Sequence, residues 1–164
     1  MLSAKMQAAF NDQIQKELYS AYLYLSMANH FENKNLGGFA KWLFMQFQEE
    51  QQHAFKFIHH VQERGGQVIL EAIQKPPSAW ASNMAAFKQV LEHEQFVTAS
   101  ITALYETALA EKDYPAQILL QWYIAEQVEE EKNAADIIAQ LEMIDERGTA
   151  VLMLDKALGK RGAE

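Results

Sequence analysis

Residues that end helices are confined to a few places in this sequence. Gly37-Gly38 forms one break. Gly65-Gly66 opens a second, which runs through Pro76-Pro77 to about Ser82. Asp113 and Pro115 read as an N-cap with proline in the first turn, and Gly148 is the last interior break. Between them lie segments rich in Ala, Leu, Glu, Gln and Lys, which favour helix. No strand-like alternation, repeat or low-complexity tract competes. The spacing predicts an all-α chain with long helices near 5–34, 38–64, 83–111 and 114–145, and a short fifth near 149–159. One domain is expected over 1–164, with a four-helix bundle at about 5–145.

Loop lengths constrain the topology. Short turns make the first and second helices antiparallel, and likewise the third and fourth. The second-to-third connection has roughly 18 residues and can reach about 59 Å at ~3.3 Å per residue. A helix of about 27 residues is about 40 Å long. The connection can therefore run the length of the bundle as a crossover, leaving the second and third helices parallel.

Composition narrows the chemistry. Hydrophobic residues make up 49%, enough for a core. The absence of cysteine excludes disulfides, thiolate zinc sites, iron–sulfur clusters and cysteine nucleophiles. A net charge of -8 argues against nucleic acid and suits a protein that attracts cations. There is no run of 18 apolar residues to span a membrane. Met1-Leu2-Ser3-Ala4-Lys5 does not begin a signal sequence, so the cytoplasm is expected.

On a helical wheel the first helix has an apolar face of Phe10, Ile14, Leu18, Ala21, Leu25 and Ala28, with Glu17 towards one side and Tyr24 two turns on. The second has Leu43, Phe47, Ala54, Phe57 and Val61, with Glu50 in the middle and His53 one turn on. The third has Phe87, Leu91, Val97, Ile101 and Tyr105 around Glu94. The fourth has Leu119, Tyr123, Ala134, Ile137 and Leu141 around Glu130, flanked by Glu126 and Gln127. Every long helix thus places a glutamate on its core face, with no Lys or Arg beside it. A buried unpaired carboxylate costs several kcal/mol. Either these glutamates are protonated, with raised pKa values, or they bind cations. Two divalent ions match the four charges. Glu-x-x-His alone is a weak signal, because about half a match is expected by chance in this composition. Four helices breaking the binary pattern with one residue type is a strong one. Carboxylates with one imidazole suit iron or manganese, and zinc would also bind.

These residues resemble those of a prokaryotic non-haem ferritin, a ferritin-like di-iron carboxylate family. The resemblance covers essentially the whole chain. It is carried by Leu18-Tyr19-Ser20-Ala21-Tyr22-Leu23-Tyr24, Glu49-Glu50-Gln51-Gln52-His53, Glu92-His93-Glu94 and Gln121-Trp122-Tyr123-Ile124-Ala125-Glu126-Gln127-Val128-Glu129-Glu130-Glu131. The resemblance implies iron storage and detoxification by a ferroxidase. Fe(II) would be oxidised to Fe(III) by oxygen or hydrogen peroxide, with mineral kept inside a shell of 24 subunits. It implies that Glu17, Glu50 and His53 hold one iron, and Glu50, Glu94 and Glu130 a second. Glu49, Glu126 and Glu129 would form a third iron site with Glu130. Gln127 would support bound oxygen or water, and Tyr24 would donate an electron. No haem is expected, because Gln51 stands where the haem-binding relatives have methionine. An oxidase acting on an organic substrate would share the ligand set, and particle mass separates the two.

Other residues have plainer readings. Glu131 is expected on a solvated face and Trp122 in packing. His93 is expected at the surface or behind the site, and His59-His60 near the helix end. Tyr24 is equally readable as a core tyrosine with a satisfied hydroxyl. Tyr19, Leu23 and Met27 appear on the far side of the first helix, which suggests a partner surface.

Overall fold

The computed structural model describes residues 1–145 and 148–162. The helices are α1 (Ala4–Glu32), α2 (Gly37–Glu63), α3 (Asn83–Ala110), α4 (Tyr114–Ile144) and α5 (Gly148–Leu158). Three long helices begin on caps written in the local sequence. Ser3 Oγ accepts from the Met6 amide, Ser82 Oγ from Ala85, and Asp113 from Ala116, with Pro115 in the first turn. The turns use left-handed residues, Asn35 after α1 and Lys112 after α3.

α2 has no side-chain cap of its own, because Leu36 stands at that position. Asp155 of α5 supplies it from across the chain. Its Oδ1 accepts from the amides of Gly38 (2.8 Å) and Phe39 (2.9 Å). A carboxylate at a helix N-terminus also meets the positive end of the helix dipole. The approach requires glycine: a Cβ on Gly38 would fall 1.6 Å from the Asp155 carbonyl oxygen.

One ion pair fixes the topology. Arg64, just past α2, donates to both carboxylate oxygens of Asp113 at 2.7 and 2.8 Å. Asp113 follows α3, so α2 and α3 end together and run parallel. The crossover returns along α1. Asn11 donates to Gln67 O, Gln15 to Ala72 O and Ser26 to Pro77 O.

Each long helix buries a row stepping by three and four residues, the spacing of bundle cores. In α1 the row is Met6, Phe10, Gln13, Glu17, Ser20, Tyr24, Met27 and Phe31. In α2 it is Phe39, Leu43, Gln46, Glu50, His53 and Phe57. In α3 it is Phe87, Val90, Glu94, Val97, Ile101 and Leu104, and in α4 Leu120, Tyr123, Gln127, Glu130, Ala134 and Ile137. The polar members fall at mid-height. They separate one apolar cluster around Phe31, Phe39 and Phe87 from another around Phe10, Phe57 and Leu120.

This corrects the wheel for α1. Leu23 and Met27 lie in the core and Tyr19 packs against it, whereas Leu18 and Leu25 are only half-buried. Gln13, Glu17 and Ser20 make the true inner row polar at its middle, so hydropathy pulls the inferred centre aside. Glu17 is central. Tyr22 is the exposed aromatic of α1, with Phe44 and Phe55 exposed on α2.

Candidate metal centre

The four expected glutamates are all buried at mid-bundle, Glu94 at 0% exposure and Glu130 at 3%. Among the described residues no lysine or arginine forms an ion pair with any of them. Ligand atoms of Glu17, Glu50 and His53 lie within 4.8 Å of one another, and so do those of His53, Glu126 and Glu130. His53 belongs to both groups. Its Nδ1 lies 3.4 Å from Glu50 and its Nε2 3.8 Å from Glu126. The Tyr123 hydroxyl donates to the His53 carbonyl oxygen (2.6 Å) and holds that turn of α2 against α4.

A second set of side chains orients the carboxylates. Gln13 donates to Glu17 (2.8 Å) and Gln46 to Glu130 (2.7 Å). Glu94 accepts from the Tyr24 hydroxyl and from Gln127 (3.1 Å). Ser100 in turn donates to Gln13 (2.6 Å). Glu50 differs: its Oε2 is buried and has no hydrogen-bond partner among the described residues. The group near it is His53 Nδ1, at 3.4 Å, and such a buried oxygen is costly unless a proton or a cation meets it. With the adjacent imidazole, this oxygen-rich donor set fits a transition-metal ion.

Electrostatics agree. Burial is the main cause that raises all four glutamates. Glu17 goes to about 7, and Glu130 to about 8 with the charge of Glu94 adding to it. Glu50 lies well above its ordinary value, pushed further by Glu94 and Glu17, and Glu94 is also raised. Glu17 and Glu50 face each other closely enough to share a proton. Burial pushes His53 down to about 4, which leaves the neutral imidazole that a metal requires. The metal-free centre therefore holds protons that a bound cation would displace.

Some expected groupings are looser. Glu94 is turned to Tyr24 and Gln127, so Glu50, Glu94 and Glu130 influence one another by charge without gathering on one point. Glu126 is half-buried and feels the charges of Glu129 and Glu49, while Glu129 is exposed. Glu49 pairs with Arg161 at 2.6 Å. Lys56, over the Trp122 ring, lies near Glu126.

Tyr24 is fully buried, and burial holds its hydroxyl protonated. His93 stands behind it, 2.7 Å from Ser20 Oγ and edge-on to the Tyr24 ring. Trp122 packs edge-on to His53 and Tyr123. His59 is exposed and His60 half-buried. Glu131 departs from expectation: it is half-buried and accepts from Thr98 (2.6 Å). Sequence reasoning missed Gln13 and Gln46, although each stands one turn before a core glutamate. It also missed Arg161, for which no local signal exists.

Comparison with known proteins places this arrangement. A family model described as a ferritin-like domain matches residues 7–144. A protein named "Bacterial non-heme ferritin" from Bacteroides fragilis is 38% identical over 98% of this chain and all of its own length. One of the same name from Campylobacter jejuni is also 38% identical, over 95% of this chain and 93% of its own. A solved open-pore ferritin from the archaeon Archaeoglobus fulgidus superposes with a TM-score of 0.97 at 52% identity. That match covers 98% of this chain and 99% of the other.

Proposed function

This chain belongs to the ferritin family, and on that premise we propose that it stores iron and oxidises Fe(II) to Fe(III) as it does so. The observation that carries the reading is the buried, cation-free glutamate cluster around His53, with its partnerless Glu50 oxygen. Iron is the substrate. Glu17, Glu50 and His53 receive one ion, and Glu50, Glu94 and Glu130 a second. Each Fe(II) gives up one electron, so a pair supplies the two that reduce dioxygen to hydrogen peroxide; peroxide itself can serve as the oxidant. Protons leave the carboxyls as iron arrives.

The side chains around the pair have separate tasks. Gln13 and Gln46 hold Glu17 and Glu130 in place. Gln127 donates to Glu94 and would support oxygen or water at the iron pair. Tyr24 can pass a further electron to the oxidant while its proton goes to Glu94, to which it already donates. Two electrons from the pair, one from a third Fe(II) and one from Tyr24 make the four that reduce dioxygen to water, and a later Fe(II) returns the electron to Tyr24. Glu49, Glu126 and Glu129 form an outer iron site with Glu130. Product Fe(III) is deposited inside a shell of 24 chains. Exposed Tyr22, Phe44, Phe55, Ile69, Leu70 and Phe96 support assembly, because so much open apolar surface calls for partners. No described helix is long and apolar enough to cross a membrane, and a cytoplasmic location belongs to this reading.

The test is anaerobic loading of the assembled protein with Fe(II), followed by oxygen. Rapid oxygen consumption is expected, and Glu50→Ala and Glu130→Ala should abolish most of it. Full activity in both variants rules the site out. A particle mass near that of a dimer would point instead to an oxidase of organic substrates.

A further inference from the structure

We propose that Arg161 is the built-in counter-ion of the outer carboxylates and that an incoming metal ion must displace it from Glu49. The inference rests on the outer-site reading above and assigns that site its regulation.

Three observations carry it. Arg161 donates to Glu49 Oε2 at 2.6 Å, so its guanidinium already occupies a carboxylate that a metal would use. The guanidinium is also held independently of Glu49, stacked 4.6 Å over the Trp42 ring. Trp42, Met45 and Glu49 recur at spacings of three and four along one face of α2. The tail after α5 lies along that face. Lys41 donates to Gly159 O (3.0 Å), and a side chain on Gly162 would meet Met45 at 3.2 Å. The Asp155 contact to α2 sets where this tail begins.

The strength of the pair suits a replaceable ligand. Arg161 and Glu49 side chains are 22% and 38% exposed, and solvent weakens such a pair. A divalent ion brings twice the charge of a guanidinium to Glu49 and reaches Glu126 and Glu129 as well. When it binds, Arg161 keeps its place on Trp42 and returns to Glu49 when the ion leaves. The outer site is thereby weak by construction.

Zn(II), which undergoes no redox chemistry, provides the test. It is titrated calorimetrically into the assembled, metal-free protein. Tight sites and one weaker class per chain are expected. Arg161→Gln should tighten the weaker class by about three- to tenfold and leave the tight class unchanged. Arg161→Lys, which keeps the charge, should stay near wild type. Glu49→Gln should remove most of the weaker class in either background. A weaker class that Arg161→Gln leaves unchanged or loosens overturns the competition while leaving the outer site intact. A weaker class that survives Glu49→Gln undiminished overturns the outer-site reading, and the role of Arg161 with it.

Discussion

A glutamate whose pKa rises on folding binds a proton that the unfolded chain releases at neutral pH. Glu130, raised to about 8, and Glu17, raised to about 7, are such groups. Their folded-state protonation contributes stability that is complete below the ordinary carboxyl range and is lost as pH rises through 7 and 8. The metal-free protein should therefore lose melting temperature between pH 5 and pH 8, and Zn(II) should restore more at pH 8 than at pH 5. Glu130→Gln should flatten the slope; a wild-type profile that rises with pH would contradict the buried-carboxyl account. Tyr24→Phe offers a second residue-level test. It should slow oxygen-dependent oxidation several-fold yet leave Zn(II) affinity within about twofold, because Tyr24 bonds to Glu94, a proposed ligand, and is not one itself; equal oxidation rates would remove Tyr24 from the electron path. The four glutamates were legible because each contradicts the apolar face on which it sits. Gln13 and Gln46 were not, since a glutamine among apolar residues is a weaker contradiction and its task shows only beside its carboxylate.

Helices were read to within two residues at every end, because Ser3, Ser82, Asp113 and the glycine breaks act locally. The start of α2 is different. Its cap comes from Asp155, 117 residues away, and nothing near Leu36 announces it. Asp155→Ala should cost about 1–2 kcal/mol, the usual worth of an N-cap carboxylate, and should make residues after Leu158 more sensitive to protease. The two neighbouring glycines give a paired test. Gly37 has open space around it, whereas Gly38 touches Asp155, so Gly38→Ala should destabilise and Gly37→Ala should be nearly neutral; equal melting temperatures would mean that α5 does not dock there. The inward side of α1 was misread for a related reason. Its central residues serve the site and do not look like core.

At the scale of the molecule, the crossover and the Arg64–Asp113 pair bring four glutamates from separate helices to one height. The formal charge of -8 counts the central glutamates as ionised; burial keeps protons on them in the metal-free centre, so the field that an arriving cation meets comes from the exposed acidic residues. Iron uptake by the assembled protein should slow as ionic strength rises, and an uptake rate independent of salt would show that the field plays no part in capture. The mid-height belt of Gln13, Glu17, Gln46, Glu50, Glu94 and Glu130 also divides the interior into two apolar halves. Each half is made from the ends of the four long helices, and the half around Phe31 also takes Val151 and Leu154 from α5. Without metal, the halves are joined through hydrogen bonds around protonated carboxyls; with metal, the proposed ligands from the four long helices would bolt them together. Amide hydrogen exchange should accordingly show a dip in protection at the middle of each long helix in the metal-free state, and Zn(II) should fill it. In that sense the cargo is also a fastener, and an emptied subunit would breathe at its waist.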